Sequence, residues 1–321
     1  MNQPSSRSRQ VKRVRIERVN ASAAREEEDL LAAEEPLEIK LGGQSIAVVM
    51  RTPGEDRELA AGFLVTEGLV RKAAQIRDIK VLPHCRLANQ RGGGKRGTQS
   101  AGPRLGTRGA AEMTEEAEEV LDNGNVVNVQ LTHPNSVDLK RLTRHVFSSS
   151  SCGVCSKATI EAVRQQFPRI QDEFVVSASV LRQLPASIAA RQETFQRTGG
   201  LQACALIDET GKLVAVREDV GRHNALDKVI GWALLQGKLP LRRQMLLLSG
   251  RVSFEMMQKA LAAGIPLVAA ISAPSSLAVE FARASGQTLV GFLRGERMNV
   301  YAGNHRVLSM PGRDSAGDHR K

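Results

Sequence analysis

The chain has 321 residues, of which 41% are hydrophobic and 25% are charged, and its formal net charge is +11. This composition predicts a globular protein with a sizeable core, in one large or two moderate domains. Four cysteines are too few for a disulfide scaffold, no apolar stretch reaches the length of a membrane span, and the N-terminus lacks the apolar core of a signal peptide. We therefore expect a cytoplasmic protein with no membrane partner.

The excess of positive charge lies in two segments that are poor in apolar residues. Residues 1–19 contain six basic residues and one acid, whereas residues 86–108 contain six basic residues, no acid and several glycines. We predict a disordered basic tail over residues 1–35, a flexible basic insertion at about residues 86–118 and a second disordered tail over residues 309–321. Because the rest of the chain is near neutral and only 3% of residues are aromatic, we expect no nucleic-acid partner.

Between the tail and residue 147 the hydrophobic pattern is typical of strands. We predict a smaller, strand-rich α+β part over residues 36–147, in which one helix accompanies several strands. The predicted strands are residues 37–40, 45–50, 79–82 and 126–131, and the predicted helix is residues 58–67.

Residues 148–308 have a different pattern and are predicted to form an α/β core domain. A hairpin comes first, and strands and helices alternate after it, which indicates βαβ units with partly parallel strands. The predicted strands are residues 201–207, 212–216, 245–248, 267–271 and 288–293, and the predicted helices are residues 225–235, 254–263 and 276–284.

The most informative motif of the core is a CxxC pair, Cys152 and Cys155, at the start of a predicted helix over residues 156–167. Unpaired N–H groups and the helix dipole favour a thiolate at a helix start, and Lys157 adds a cation nearby. At least one of the two thiols is therefore expected to be nucleophilic near neutral pH.

Three other interpretations of the pair remain open on the sequence alone. A CxxC motif can be half of a structural zinc site, a thioredoxin-like redox pair, or two small residues that pack. The zinc interpretation lacks further ligands, because there is no second CxxC and no paired histidines, and Cys85 and Cys204 stand alone. We predict no structural metal.

Polar clusters follow three successive predicted strands of the core. They contain Arg251 after the first strand, Ser272 and Ser275 after the second, and Arg294 and Arg297 after the third. The carboxyl ends of parallel strands are common ligand sites, and hydroxyls and arginines beside helix starts suit a phosphate. The alternative is that the serines only cap a helix and that the arginines lie on the surface.

The densest polar run, residues 217–224, joins a predicted strand to a predicted helix. It contains two acids, two arginines, a histidine and an amide. Glu218 or Asp219 can brace the loop by pairing with Arg217 or Arg222. Asp219 or Asn224 can also cap the helix. The run offers more polar groups than bracing requires, so we predict that Arg222 and His223 belong to the binding site.

Several ordered motifs of the chain together resemble the formate dehydrogenase accessory sulfurtransferase family, FdhD. The resemblance spans roughly residues 36–308 without the insertion. Residues 51–54 and 58–63 resemble the N-terminal part of that family, and the motifs of the core are Cys152–Cys155, REDVGRHNALDKVIG at 217–231, SGRVSFE at 249–255, SAPSSL at 272–277 and GFLRGERMNVY at 291–301.

The resemblance implies a cytidine-deaminase-like three-layer α/β core, a homodimer and a sulfurtransferase. Such a protein carries sulfur from a cysteine desulfurase to the molybdenum cofactor, bis(molybdopterin guanine dinucleotide), of the formate dehydrogenase catalytic subunit. Cys152 would hold the persulfide and Cys155 would assist its transfer. The residues that match the cofactor-contacting segment of the family are Phe292, Leu293, Arg294, Gly295, Glu296 and Arg297.

Two departures and one alternative accompany this resemblance. Ser156 stands where the family usually has glycine, and Gln202 stands where histidine is common, so no general-acid role is expected at Gln202. The deaminase-like fold does not imply deamination, because no histidine has a glutamate two residues later. The alternative function is a non-catalytic chaperone that binds the same cofactor.

Overall fold

The computed structural model describes residues 9–21, 23–82, 124–134 and 167–308. The strands are β1 Val11–Val19, β2 Ala24–Ala32, β3 Glu35–Leu41, β4 Gln44–Arg51, β5 Ile76–Leu82, β6 Val126–Leu131, β7 Val176–Ser177, β8 Gln202–Asp208, β9 Leu213–Asp219, β10 Gln244–Leu248, β11 Leu267–Ala270, β12 Thr288–Arg294, β13 Arg297–Ala302 and β14 Val307–Leu308. The α-helices are α1 Asp56–Thr66, α2 Ala178–Ala189, α3 Glu193–Thr198, α4 Arg222–Leu235, α5 Phe254–Ala262 and α6 Ser276–Ser285. None of these helices is long and apolar enough to cross a membrane.

Two larger sheets organise the described residues. The first has the strand order β4-β3-β6-β5, with β3 and β6 parallel and the other pairs antiparallel. The second has the order β13-β12-β11-β10-β8-β9. In it β10, β11 and β12 are parallel neighbours, whereas β8, β9 and β13 are antiparallel to the strands beside them. The predicted βαβ alternation is confirmed, and so is the predicted hairpin, whose strands were expected at residues 201–207 and 212–216.

Helices cover both faces of the six-stranded sheet, because its strands alternate apolar side chains between the two faces. On one face Leu206, Leu246 and Val268 pack with α1, α4, α5 and α6 in a core that also includes the four-stranded sheet. On the other face Ile207 and Leu247 pack against the apolar side of α2. This arrangement is a mixed α/β fold with a strand-rich N-terminal part.

The two parts meet where α1 crosses α4 at a pair of glycines. A Cβ atom added to Gly62 would lie 1.8 Å from the backbone oxygen of Asp227, and one added to Gly231 would lie 1.8 Å from that of Glu58. The helices therefore touch backbone to backbone. A side chain at either position would separate them.

A buried polar group strengthens this crossing. Asp227 of α4 accepts a hydrogen bond from Thr66 of α1 at 3.0 Å and pairs with Lys259 of α5, with Nζ and Oδ2 2.7 Å apart. A buried carboxylate needs such partners, because its desolvation costs several kcal/mol when it has none. The contacts join three helices at one point.

The prediction of a disordered tail over residues 1–35 is wrong for its described part. β1 and β2 form an antiparallel hairpin in which Val11 pairs with Ala32 and Val19 pairs with Ala24. Arg15 lies directly opposite Glu28, and Arg13 forms a diagonal ion pair with the same glutamate. The charge and low apolar content of the whole segment indicated disorder. They did not show that basic residues of β1 interact with acidic residues of β2.

Strand β13 and helices α2 and α3 were not predicted, although Leu181, Leu184 and Ile188 of α2 have helical spacing. The insertion at about residues 86–118 and the tail over residues 309–321 lie outside the described residues. The same holds for the helix predicted after the CxxC pair, except for its last residue.

Replacing Gly231 by alanine is expected to destabilise the fold. The added methyl would lie against the backbone oxygen of Glu58, which cannot move without shifting α1. We expect the free energy of unfolding, measured with urea, to fall by about 3 kcal/mol or more. The exposed Gln236→Ala, at the end of the same helix, serves as the control. Equal urea midpoints for the two variants would show that the crossing is not tightly packed.

Candidate functional site

An open cavity of about 610 Å³ lies at the carboxyl ends of the parallel strands. Its walls are the segments after β10 and β11, the end of β12, the start of β8 and the beginning of α4. The lining residues are Gln202, Val220, Gly221, Arg222, His223, Ser249, Gly250, Arg251, Ser272 and Arg294. The structure thus brings together five of the predicted site residues.

The cavity is cationic. Arg222, Arg251 and Arg294 contribute guanidinium groups, and the described residues that line it include no carboxylate. Arg294 is oriented by a hydrogen bond of 2.9 Å from its Nε to the Ile271 oxygen. The Nε of Arg222 is buried, with no hydrogen-bond partner among the described residues. Because a buried donor without a partner is unfavourable, this geometry favours an anionic ligand.

Helix α4 begins at the cavity with backbone N–H groups that no side chain caps. Its N-cap is Gly221, which offers no side-chain acceptor to the first turn. The positive end of a helix dipole adds to the attraction for an anion. The helix start and the arginines therefore act in the same direction.

Gln202 and Gly250 shape one wall of the cavity. A Cβ atom added to Gly250 would lie 2.3 Å from Oε1 of Gln202, so the amide lies across the glycine. Ser249 fixes the same wall, since its Oγ accepts a hydrogen bond of 2.8 Å from the Ala203 N–H. Gln202 was not predicted as a site residue. Gln202 reaches the cavity because β8 pairs with β10 in the sheet, and sequence patterns do not predict which strands pair.

The polar run 217–224 divides into bracing residues and cavity residues. Arg217 makes a bidentate ion pair with Glu58 of α1, at 2.5 and 2.8 Å. Glu218 accepts hydrogen bonds from the backbone N–H groups of Thr194 and Phe195 at the start of α3. Both residues therefore brace the loop, but they do so through α1 and α3 and not through the predicted pairing of an acid with an arginine of the same run.

Asp219 and Lys228 form a fully buried ion pair behind the cavity loop. Asp219 Oδ2 and Lys228 Nζ are 2.9 Å apart, and neither side chain is exposed. Asp219 also accepts hydrogen bonds from the N–H groups of Thr52 and Gly221 and from the Asn224 amide. The pair anchors the loop to the N-terminal part through Thr52.

The motif at residues 51–54 also has a structural role. Arg51 is buried and makes two hydrogen bonds to Asp56, at 2.8 and 3.1 Å, and a third contact to Glu35. A buried guanidinium needs this number of acceptors to offset its desolvation. The motif thus holds β4 and the start of α1 in place.

Arg222 and His223 remain to face the cavity. The Nε2 atom of His223 lies 2.7 Å from Oε2 of Glu255, the second residue of α5. The two groups are in direct contact, although the ring N–H is not aligned for an ordinary hydrogen bond. Two helix starts therefore meet at one histidine–carboxylate contact.

Other predicted site residues lie outside the lining of the cavity. Ser275 caps α6 by accepting a hydrogen bond of 3.2 Å from the Ala278 N–H. Leu293 is buried in the core on the α2 side of the sheet. Glu296 is exposed and pairs with Arg182. The rest of this segment, Phe292, Gly295 and Arg297, is exposed. Phe292 has a positive φ of 51° at the irregular end of β12, and Gly295 has a φ of 52° in the turn that follows it.

The predicted nucleophiles, Cys152 and Cys155, lie outside the described residues. Within the described part, Cys204 is a buried cysteine of β8. Burial raises the pKa of its thiol well above the ordinary value, and Asp227 raises it further. Cys204 is therefore an unreactive thiol. The described residues contain no cluster of three or more His, Cys, Asp or Glu side chains that could hold a metal ion.

The model of one protein family, FdhD/NarQ, matches residues 32–308. The chain belongs to this family. The match includes the four-stranded sheet, the cavity and the six-stranded sheet, and it also spans Cys152 and Cys155.

Family relatives from several bacteria are similar over nearly the whole chain. Proteins called "Sulfur carrier protein FdhD" are 46% identical in Streptomyces avermitilis and 43% identical in Nocardia farcinica, each over 93% of this chain and over 96% and 95% of the relative. The protein of that name in Mycobacterium tuberculosis is 45% identical over 91% of this chain and 97% of its own.

A crystal structure shares the fold. It is that of a protein from Desulfotalea psychrophila described as a formate dehydrogenase accessory protein. The TM-score is 0.66 at 23% identity, over 93% of this chain and 99% of that one. The mixed α/β architecture agrees with the sequence prediction. The more specific likeness to cytidine deaminases stays a prediction.

Replacing Glu218 by glutamine is expected to change how stability depends on pH. Burial raises the pKa of the Glu218 carboxyl above its ordinary value of 4.5, although the N–H groups of Phe195 and Thr194 oppose the shift. The folded protein then holds this proton more tightly than the unfolded chain. The stabilisation that the protonated Glu218 carboxyl contributes is complete at pH values below its ordinary pKa. It is lost as the pH rises through the raised pKa.

The measurement is urea unfolding of the wild type and Glu218→Gln at a series of pH values from about 4 to about 7. The free energy of unfolding of the wild type, taken relative to the variant, should decrease as the pH rises. A relative free energy that increases over this range would contradict the direction of the shift.

Proposed function

We propose that the protein is a sulfur carrier that matures a formate dehydrogenase. It receives sulfur on Cys152 and delivers it to the molybdenum cofactor, bis(molybdopterin guanine dinucleotide). The observation that carries the proposal is the cationic cavity at the strand ends in a chain whose relatives are called sulfur carriers. The three guanidinium groups and the start of α4 match the needs of a ligand with pyrophosphate groups.

The sulfur is loaded by thiol–disulfide chemistry. The Cys152 thiolate attacks the outer sulfur of a persulfide on a cysteine desulfurase. A new sulfur–sulfur bond forms on Cys152, the bond within the donor persulfide breaks, and the desulfurase cysteine leaves as a thiolate. Cys152 then carries one additional sulfur as a persulfide.

The sulfur is released by the second thiol. The Cys155 thiolate attacks the inner sulfur of the Cys152 persulfide, and the outer sulfur leaves as sulfide for the molybdenum centre. Cys152 and Cys155 are then joined by a disulfide. A thiol reductant must return this disulfide to two thiols before the next cycle.

The proposed partners follow from this sequence of steps. They are a cysteine desulfurase as donor and the catalytic subunit of a formate dehydrogenase as the receiver of the sulfurated cofactor. The protein works in the cytoplasm as a homodimer, and the cofactor is its substrate. A cytoplasmic setting keeps the CxxC pair reduced between cycles.

A second candidate is a non-catalytic chaperone that binds the same cofactor. The cavity supports the chaperone function as well as the carrier function, because the binding of an anion there needs no thiol. The two functions differ in whether Cys152 becomes persulfidated.

The carrier function predicts that a cysteine desulfurase and cysteine add sulfur to the purified protein. Intact-mass spectrometry should show a gain of one sulfur atom in the wild type and none in Cys152→Ala, because the accepting thiolate is lost. Cys85→Ala, which removes a cysteine outside the CxxC motif, is the matched control and should gain sulfur. If no cysteine gains sulfur while the cofactor still binds, the chaperone takes the place of the carrier.

The cavity predicts an arginine-dependent affinity for guanine nucleotides. GDP-mannose serves as the probe, since it contains the guanosine diphosphate diester that occurs in each of the two dinucleotides of the cofactor. Arg251→Gln should weaken its binding about tenfold, because a charge-assisted contact to phosphate is lost. Calorimetry measures the affinity, and the exposed Arg242→Gln should bind as the wild type does. Equal losses in both variants would point to long-range charge and not to the cavity.

A further inference from the structure

The contact between His223 and Glu255 has no role in the steps described above. His223 lines the cavity, while its Nε2 atom lies 2.7 Å from Glu255 Oε2. Both side chains are mostly buried, with 19% and 13% of their surface exposed. Because Nε2 is turned to the carboxylate, Nδ1 is the ring nitrogen that remains for a ligand.

The charged groups around His223 have opposite effects on a positive charge at its ring. Arg222 of the same helix, Arg251 after β10 and Arg294 of β12 line the same cavity and disfavour a further positive charge. The carboxylate of Glu255 favours that charge from behind the ring. An anion bound in the cavity acts in the same direction as Glu255.

We propose that Glu255 is a positioning residue that allows His223 to bind the anionic ligand as a doubly protonated imidazolium. In the complex, Nε2–H is directed to Glu255 and Nδ1–H is donated to a phosphate oxygen. Ligand binding thereby takes up a proton from solvent onto the ring. A ring N–H that is not aligned in the free protein becomes aligned when the ligand is bound.

This arrangement gives the cavity a donor that differs from its arginines. A guanidinium is protonated whether or not the ligand is present, whereas an imidazole changes its charge within the physiological pH range. His223 therefore couples the occupancy of the cavity to proton uptake. The inference rests on the proposed binding of the cofactor at this cavity.

Calorimetry with GDP-mannose tests the inference near pH 7, where the diphosphate diester of this probe does not titrate. Titrations in buffers of different ionisation enthalpy give the number of protons taken up per ligand bound. We expect measurable uptake by the wild type, up to one proton, and none by His223→Gln. Glu255→Gln should bind about tenfold more weakly, because a charge-assisted contact is lost, and should take up fewer protons.

Matched controls separate this role from a structural one. Glu280→Gln removes one carboxylate from the exposed surface of α6 and should match the wild type in affinity and in proton uptake. Thermal unfolding establishes whether each variant is folded. Where Glu255→Gln is unfolded, His223→Gln alone decides, and proton uptake equal to that of the wild type overturns the inference.

The remaining outcomes distinguish the inference from the proposed function. Binding that depends on Arg251 but takes up no proton overturns the role of His223 and leaves cofactor binding in place. Unchanged affinity and unchanged proton uptake in folded Glu255→Gln overturn the positioning role. A wild-type protein that does not bind the probe contradicts cofactor binding at the cavity, and the inference is overturned with it.

Discussion

The close crossing of α1 and α4 is the constraint on which the rest of the structure depends. Gly62 and Gly231 allow the two backbones to touch, and this contact joins the four-stranded sheet to the six-stranded sheet. The buried group of Thr66, Asp227 and Lys259 lies at the same crossing and fixes its register. Because α4 begins at the cavity, the crossing also fixes where the first turn of that helix presents its N–H groups.

The polar loop before α4 is held in place by ion pairs. Asp219 and Lys228 form a buried pair, and Arg217 reaches α1, so both ends of the loop are held by the N-terminal part. Arg222 and His223 are the polar side chains of this loop that line the cavity. An anion can then be bound without reorganising the loop, which lowers the cost of ordering side chains on binding.

The sequence predicted the βαβ core well because buried strands and amphipathic helices have strong periodic patterns. It also predicted five cavity residues, since clusters after parallel strands converge in space. Gln202 could not be found in this way, because its place depends on the pairing of β8 with β10. The segment from Phe292 to Arg297 was predicted to form one contact surface, but at the end of β12 neighbouring side chains point in different directions, so that Arg294 faces the cavity and Leu293 lies in the core.

The hairpin of β1 and β2 forms a sheet of its own within the described residues, so each of its strands is an edge. Edges with free backbone groups invite other strands to pair and can lead to aggregation. Here the exposed charges of Lys12, Arg13, Arg15 and Glu28 are spread along both strands. Such charges oppose edge-to-edge association, because a second strand would have to desolvate them. The composition that suggested a disordered tail is thus a protection against aggregation for an ordered ribbon.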